Sequence, residues 1–107
     1  MIKATFYKRG EILCGFEIDG HSGYAEAGSD IICASVSSVA YMAVNTITDV
    51  IGDKADISIS DGYFRFMTDS CRNETKVVLE GLKLHVSALA GDYSEYITCK
   101  EKTLLKE

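Results

Sequence analysis

At 107 residues, 47% of them hydrophobic, the chain has the size for one domain with one core, spanning residues 1–107. Its formal charge of −5 argues against direct nucleic-acid binding, which needs a positive patch, while leaving a basic protein as a suitable partner. No run of about 18 apolar residues occurs, and the opening MIKATFYKRG carries scattered charges, so neither a membrane span nor a signal peptide is expected and the location reads as cytoplasmic.

Residues 2–7 alternate with Ile2, Ala4 and Phe6 on one face, and residues 12–18 with Ile12, Cys14, Phe16 and Ile18; both are strand patterns. The short Lys8-Arg9-Gly10-Glu11 turn joins them into a hairpin. A polar, glycine-bearing loop follows over residues 20–30. From Asp30 the period becomes helical, with an apolar stripe from Ile32 through Val36, Val39, Ala40, Ala43, Val44, Ile47 and Val50 to Ile51. Ser29 or Asp30 suits the N-cap, and Gly52 suits the left-handed stop. Ile57 and Ile59 alternate with Ser58 and Ser60, Asp61-Gly62 forms a tight turn, and residues 63–67 return as a second hairpin strand. A second helix is expected from about Arg72 to Ala90, stopped by Gly91, with Val77, Val78, Leu82 and Leu89 on its apolar side. Residues 96–99 read as a last strand followed by a charged tail. The order ββαββαβ predicts an α+β two-layer sandwich, its sheet mixed or mostly antiparallel, with two helices on one face.

The four cysteines, Cys14, Cys33, Cys71 and Cys99, read as reduced thiols in a cytosolic protein. They form no C-x-x-C pair, and with two histidines in the chain neither a metal nor a cofactor is expected. Cys14 and Cys99 lie in strand patterns and read as packing residues, and His85 reads as a structural or surface residue of the second helix.

Cys33 differs, because it falls in the first turn of the first helix. The dipole end there favours negative charge, so position alone biases the thiol toward thiolate. His21 lies twelve residues earlier, just after a strand and Gly20, at the other end of the same loop. A thiol and an imidazole brought together this way make a nucleophile and its base. First-turn backbone amides near Cys33 would form part of an oxyanion hole. Asp30 has two readings: helix cap, or orienter of His21. A carboxylate beside Cys33 would raise the thiol pKa and oppose the dipole, which favours the cap. Ser37 lies one turn after Cys33 on the same face.

Gly20-His21, then Gly28, Asp30, Ile32, Cys33, Ala34 and Ser37, in a G-H-x6-G-x-D-x-I-C-A spacing, resemble the ribosomal-processing cysteine protease family. The resemblance covers the whole chain, including length and element order. It implies a cytosolic cysteine endopeptidase that removes the N-terminal extension of a large-subunit ribosomal protein precursor. It also implies a homodimer, Cys33 as nucleophile, His21 as general base, and a loop around residues 22–29 over the cleft, without nucleic-acid or membrane contact. Two rival readings are a non-catalytic ribosome-associated binding module and a thiol redox sensor built on Cys33.

Overall fold

The computed structural model describes residues 1–23, 30–70 and 72–104. Strands β1 (Ile2–Arg9) and β2 (Ile12–Asp19) form the expected antiparallel hairpin. Gly10, at φ 64°, takes the first central position of the two-residue turn, where a left-handed residue matches the strand twist. Helix α1 (Ile31–Asn45) runs on into a π-helical stretch, Thr46–Ile51, and stops at Gly52 with φ 81°. Strands β3 (Asp56–Ser60) and β4 (Tyr63–Met67) make the second hairpin. Helix α2 (Asn73–Asp92) and strand β5 (Ile97–Thr103) complete the described chain.

The five strands form one sheet in the order β3-β4-β2-β1-β5. All neighbours are antiparallel except β1 and β5, which are parallel. The sheet is therefore mixed, and the fold is the α+β arrangement that the element order predicts.

Strand alternation builds one wall of the core. Ile2, Ala4 and Phe6 of β1, Phe16 and Ile18 of β2, and Phe64 and Phe66 of β4 are buried in a single cluster. The helices supply the other wall through Ile32, Val36, Ala40, Ala43, Val44 and Ile47, and through Leu79, Leu82 and Val86. Phe16 is the hub: its ring lies 6.0 Å from Phe6, 5.4 Å from Phe64 and 5.7 Å from Phe66, centroid to centroid. The helical run Ile31–Ile51 is long and apolar enough to cross a membrane by length and composition alone. Its core-facing stripe is instead spent on this packing.

Five expectations are corrected. A bulge between Tyr7 and Lys8 shifts the β1–β2 register, so Leu13 enters the core and Ile12 turns outward. An extra residue in one strand reverses the phase of everything beyond it. Val50 stands 79% exposed at the end of the helical run, because the π-helical turn changes its angular position. Val77 likewise faces out, and Thr75 and Leu79 take the buried positions. Gly91 lies inside α2 rather than ending it, and the cap is Tyr93, whose N–H bonds the Leu89 carbonyl. Residues 100–103 are no tail: they pair with Thr5–Lys8, and Glu101 bonds Lys83 and lies 3.5 Å from Lys8. Charged side chains on an edge strand obscured its pattern.

Removing the hub ring should cost about 3–5 kcal/mol, as large-to-small core changes do. Urea unfolding of Phe16→Ala measures this; a loss below about 1 kcal/mol would mean the aromatic cluster does not carry the core.

Candidate active site

The start of α1 is set by Asp30. Its backbone is extended (φ −81°, ψ 96°), and Oδ1 accepts from the N–H groups of Ile32 and Cys33, each at 3.0 Å. This satisfies two of the amides that a helix leaves unpaired at its N-terminus. Asp30 Oδ2 accepts from the Ser22 hydroxyl, so one carboxylate ties the helix to the chain beyond β2. The cap reading of Asp30 thus holds, and Cys33 takes the N3 position.

The same geometry corrects two expectations about Cys33. Its N–H is already engaged by Asp30 and is not free for an oxyanion. Its thiol is held above the ordinary range, first because burial disfavours the charged form, then because the Asp30 carboxylate lies against it. The Ser22 N–H, 3.3 Å from Sγ, pulls the other way without prevailing. Burial, with the cap's carboxylate adding to it, thus opposes the bias of a helix start toward thiolate. Asp30 is itself held low, chiefly by the Ser22 hydroxyl and then by the helix amides, against the opposing effect of burial.

His21 is placed by the end of β2. Gly20, at φ 100°, donates its N–H to the Gly62 carbonyl at 2.8 Å, and a Cβ there would collide with the Met1 carbonyl oxygen. The N-terminal ammonium of Met1 donates to the His21 carbonyl oxygen. The imidazole lies over Gly62, where an added Cβ would come within 2.7 Å of Nε2. Nε2 stands 3.7 Å from a carboxylate oxygen of Asp61. Among the described residues no hydrogen bond joins His21 to Cys33.

The two nevertheless line one cavity of about 300 Å³, between the first turns of α1 and the β3–β4 turn. Ser37, Tyr41, Ile59 and Gly62 contribute to the same walls. Gly28 and Cys71 lie outside the described residues. Cys14 is buried, its thiol donating to the Tyr7 carbonyl at 3.4 Å, Cys99 is partly buried against the core, and His85 is exposed on α2. A wider depression of about 910 Å³ lies at the opposite end of the sheet, where Arg9 pairs with Asp69 at 3.1 Å and Asp53 accepts from Thr75.

Sequence reasoning missed three residues. Ser22 is 3% exposed and holds both Cys33 and Asp30; its adjacency to His21 was the available signal. Asp61 and Gly62 read only as a turn. Gly62 alone takes positive φ there, and both meet the histidine because β4 pairs with β2.

A thiol and an imidazole facing one cavity at a helix start is an arrangement suited to cysteine-dependent hydrolysis. Residues 1–98 match the family described as cysteine protease Prp. The ribosomal processing cysteine protease Prp of Bacillus subtilis is 30% identical over 103 residues, covering 89% of this chain and 92% of that protein. The same-named protein of Staphylococcus aureus is 30% identical over 88 residues, covering 79% and 83%. A crystal structure of the S. aureus protease with a covalently linked product peptide superposes with a TM-score of 0.88 at 26% identity, covering 95% of this chain and all of that one. A structure from Streptococcus mutans gives 0.83 at 30% identity, covering 97% and 96%. The chain belongs to the Prp cysteine protease family. It is an enzyme, a cysteine protease, which sets aside the non-catalytic binding module.

The electrostatics yield a direct check. Asp30→Asn keeps an acceptor for the helix amides but removes the charge beside Sγ. The pH midpoint for iodoacetamide alkylation of Cys33, followed by peptide mass, should lie above that of an ordinary thiol in the wild type and move down in the variant. An unmoved midpoint would show that the carboxylate does not govern the thiol.

Proposed function

We propose that Cys33 is the nucleophile and His21 the general base of an endopeptidase that removes the N-terminal extension from a large-subunit ribosomal protein precursor during ribosome maturation in the cytoplasm. The observation that carries the reading is the shared cavity: residues twelve apart in sequence, on separate elements, face the same space. The names of the curated relatives support the substrate class. The net charge of −5 suits a basic ribosomal protein.

In this mechanism the thiol starts protonated, a reading supported by the upward push of burial and Asp30 on its pKa. Substrate entry turns the His21 imidazole from Asp61 toward Sγ, where it takes the thiol proton. Sγ attacks the scissile carbonyl carbon, and the Ser22 N–H, which bonds the sulfur at rest, passes to the developing oxyanion. The C–N bond then breaks, His21 returns its proton to the leaving amine, and a thioester remains on Cys33. A water molecule, deprotonated by His21, attacks the thioester carbon; the acid product leaves and the thiol is restored.

Asp30, Ser37, Gly20 and Gly28 are supporting residues in this reading. Asp30 fixes the helix start, Ser37 shapes the cavity wall and Gly20 fixes the approach to His21, while Gly28 enters by resemblance to the family motif. The 107 residues act as one catalytic domain. The enzyme works as a homodimer, for which exposed Met42 and Val50 on the first helical run supply apolar surface.

Cleavage of a precursor carrying the extension tests the assignment. The wild type should cut, and Cys33→Ala and His21→Ala should each lower kcat/KM by at least about 10³-fold, the scale of losing a member of a catalytic pair. A Cys33→Ala variant with normal cleavage would remove the nucleophile assignment.

A further inference from the structure

Strand β3 lies at one margin of the sheet and, among the described residues, pairs only with β4. All five of its residues are exposed. The opposite margin, β5, carries Lys100, Glu101 and Lys102, the kind of charge that guards an edge against further pairing. Strand β3 reads Asp-Ile-Ser-Ile-Ser, with neither lysine nor proline, and leaves its central isoleucines on the open margin.

The register identifies which backbone groups are open. The turn between Ser60 and Tyr63 holds two residues, so this pair exchanges hydrogen bonds. Alternation along an antiparallel ladder then makes Ser58–Arg65 bonded and leaves Ile57 and Ile59 in non-bonded pairs. The N–H and C=O groups of Ile57 and Ile59 therefore point away from β4, into the open edge. Their side chains share the face of their partners Phe66 and Phe64, which is the core side. They are nonetheless 41% and 47% exposed. Ile59 is also part of the cavity wall that includes Cys33 and His21. The unpaired edge runs directly into the candidate catalytic space.

We propose that the substrate docks as an extended strand along β3, pairing its backbone with Ile57 and Ile59 and so carrying the scissile bond to Cys33. This rests on the protease reading above and specifies how its substrate is held. A strand is the occupant that four outward backbone groups at a two-residue repeat select. Residues of the peptide opposite Ile57 and Ile59 lie on the same face as those side chains, near Tyr41, and are apolar; the residue between them faces the other side, with Ser58. Asp56 is the first residue of the strand and Asp61 follows its last, favouring basic residues at either end of the paired segment.

The test uses the full-length protein and a peptide spanning the extension and the cleavage site, with each backbone amide N-methylated in turn. N-methylation at alternate positions on one side of the scissile bond should raise KM about five- to tenfold per lost hydrogen bond, with kcat held, while intervening positions leave KM unchanged. Ile59→Pro removes an outward N–H without touching the β4 ladder, a placement proline tolerates at an edge. It should raise KM similarly with an unaltered circular dichroism spectrum. Cleavage with a flat KM across the methylated series overturns the docking and leaves the protease reading standing. No cleavage of the parent peptide by the wild type overturns both. If Ile59→Pro converts a dimer to a monomer in sedimentation with KM unchanged, the edge holds a second copy of the chain and the docking is overturned.

Discussion

The structure around the site depends on one carboxylate. Asp30 holds the Ile32 and Cys33 amides on one oxygen and the Ser22 hydroxyl on the other. Without it, the first turn of α1 would leave its amides unpaired, and the strand that delivers His21 would lose its tie to the helix that delivers Cys33. The same charge works against ionisation of the thiol. Stability of the helix start and readiness of the nucleophile therefore pull in opposite directions, and the resting structure settles on stability. Because Asp30 is held below the ordinary carboxylate range, its contribution to folding is complete above the unfolded carboxylate pKa. It is lost as pH falls through the lower, folded value.

The histidine side obeys a different constraint, steric rather than electrostatic. Gly20 and Gly62 approach each other through a backbone hydrogen bond, both with positive φ. Neither position has room for a Cβ beside its neighbours: the Met1 carbonyl in one case, the His21 ring in the other. The imidazole thus rests in a slot shaped by two missing side chains, with Asp61 beside it, rather than clamped by donors and acceptors. Such a slot permits the ring to turn.

Much of this was legible in the residues. Period-two alternation located β1 through β4, and the 3.6-residue stripe located both helices, because each element buries one face. The motif from Gly20 to Ser37 led to the cavity because its ends belong to adjoining elements. What escaped depended on contacts across the sheet. The bulge at Tyr7–Lys8 leaves no local mark, so Leu13 and Ile12 exchanged roles. The reach of β5 to Thr103 depends on β1 as a template, which a run of Lys and Glu does not advertise. Ser22, Asp61 and Gly62 gained their importance only when the β2–β4 pairing set the second hairpin turn against the end of β2.

The parallel pairing of β1 with β5 joins the first and last strands of the described chain. Every other strand contact can form from segments close in sequence or made earlier. This one must wait for residues 97–103, the longest loop closure in the fold and its slowest kind of contact. During synthesis, β1 keeps an unpaired margin until almost the whole chain has emerged. Ile2, which forms part of the cavity wall and pairs with Ile97, is braced on that side only then. A chain interrupted before β5 would carry the cysteine and the histidine without the strand that braces Ile2 in the cavity wall.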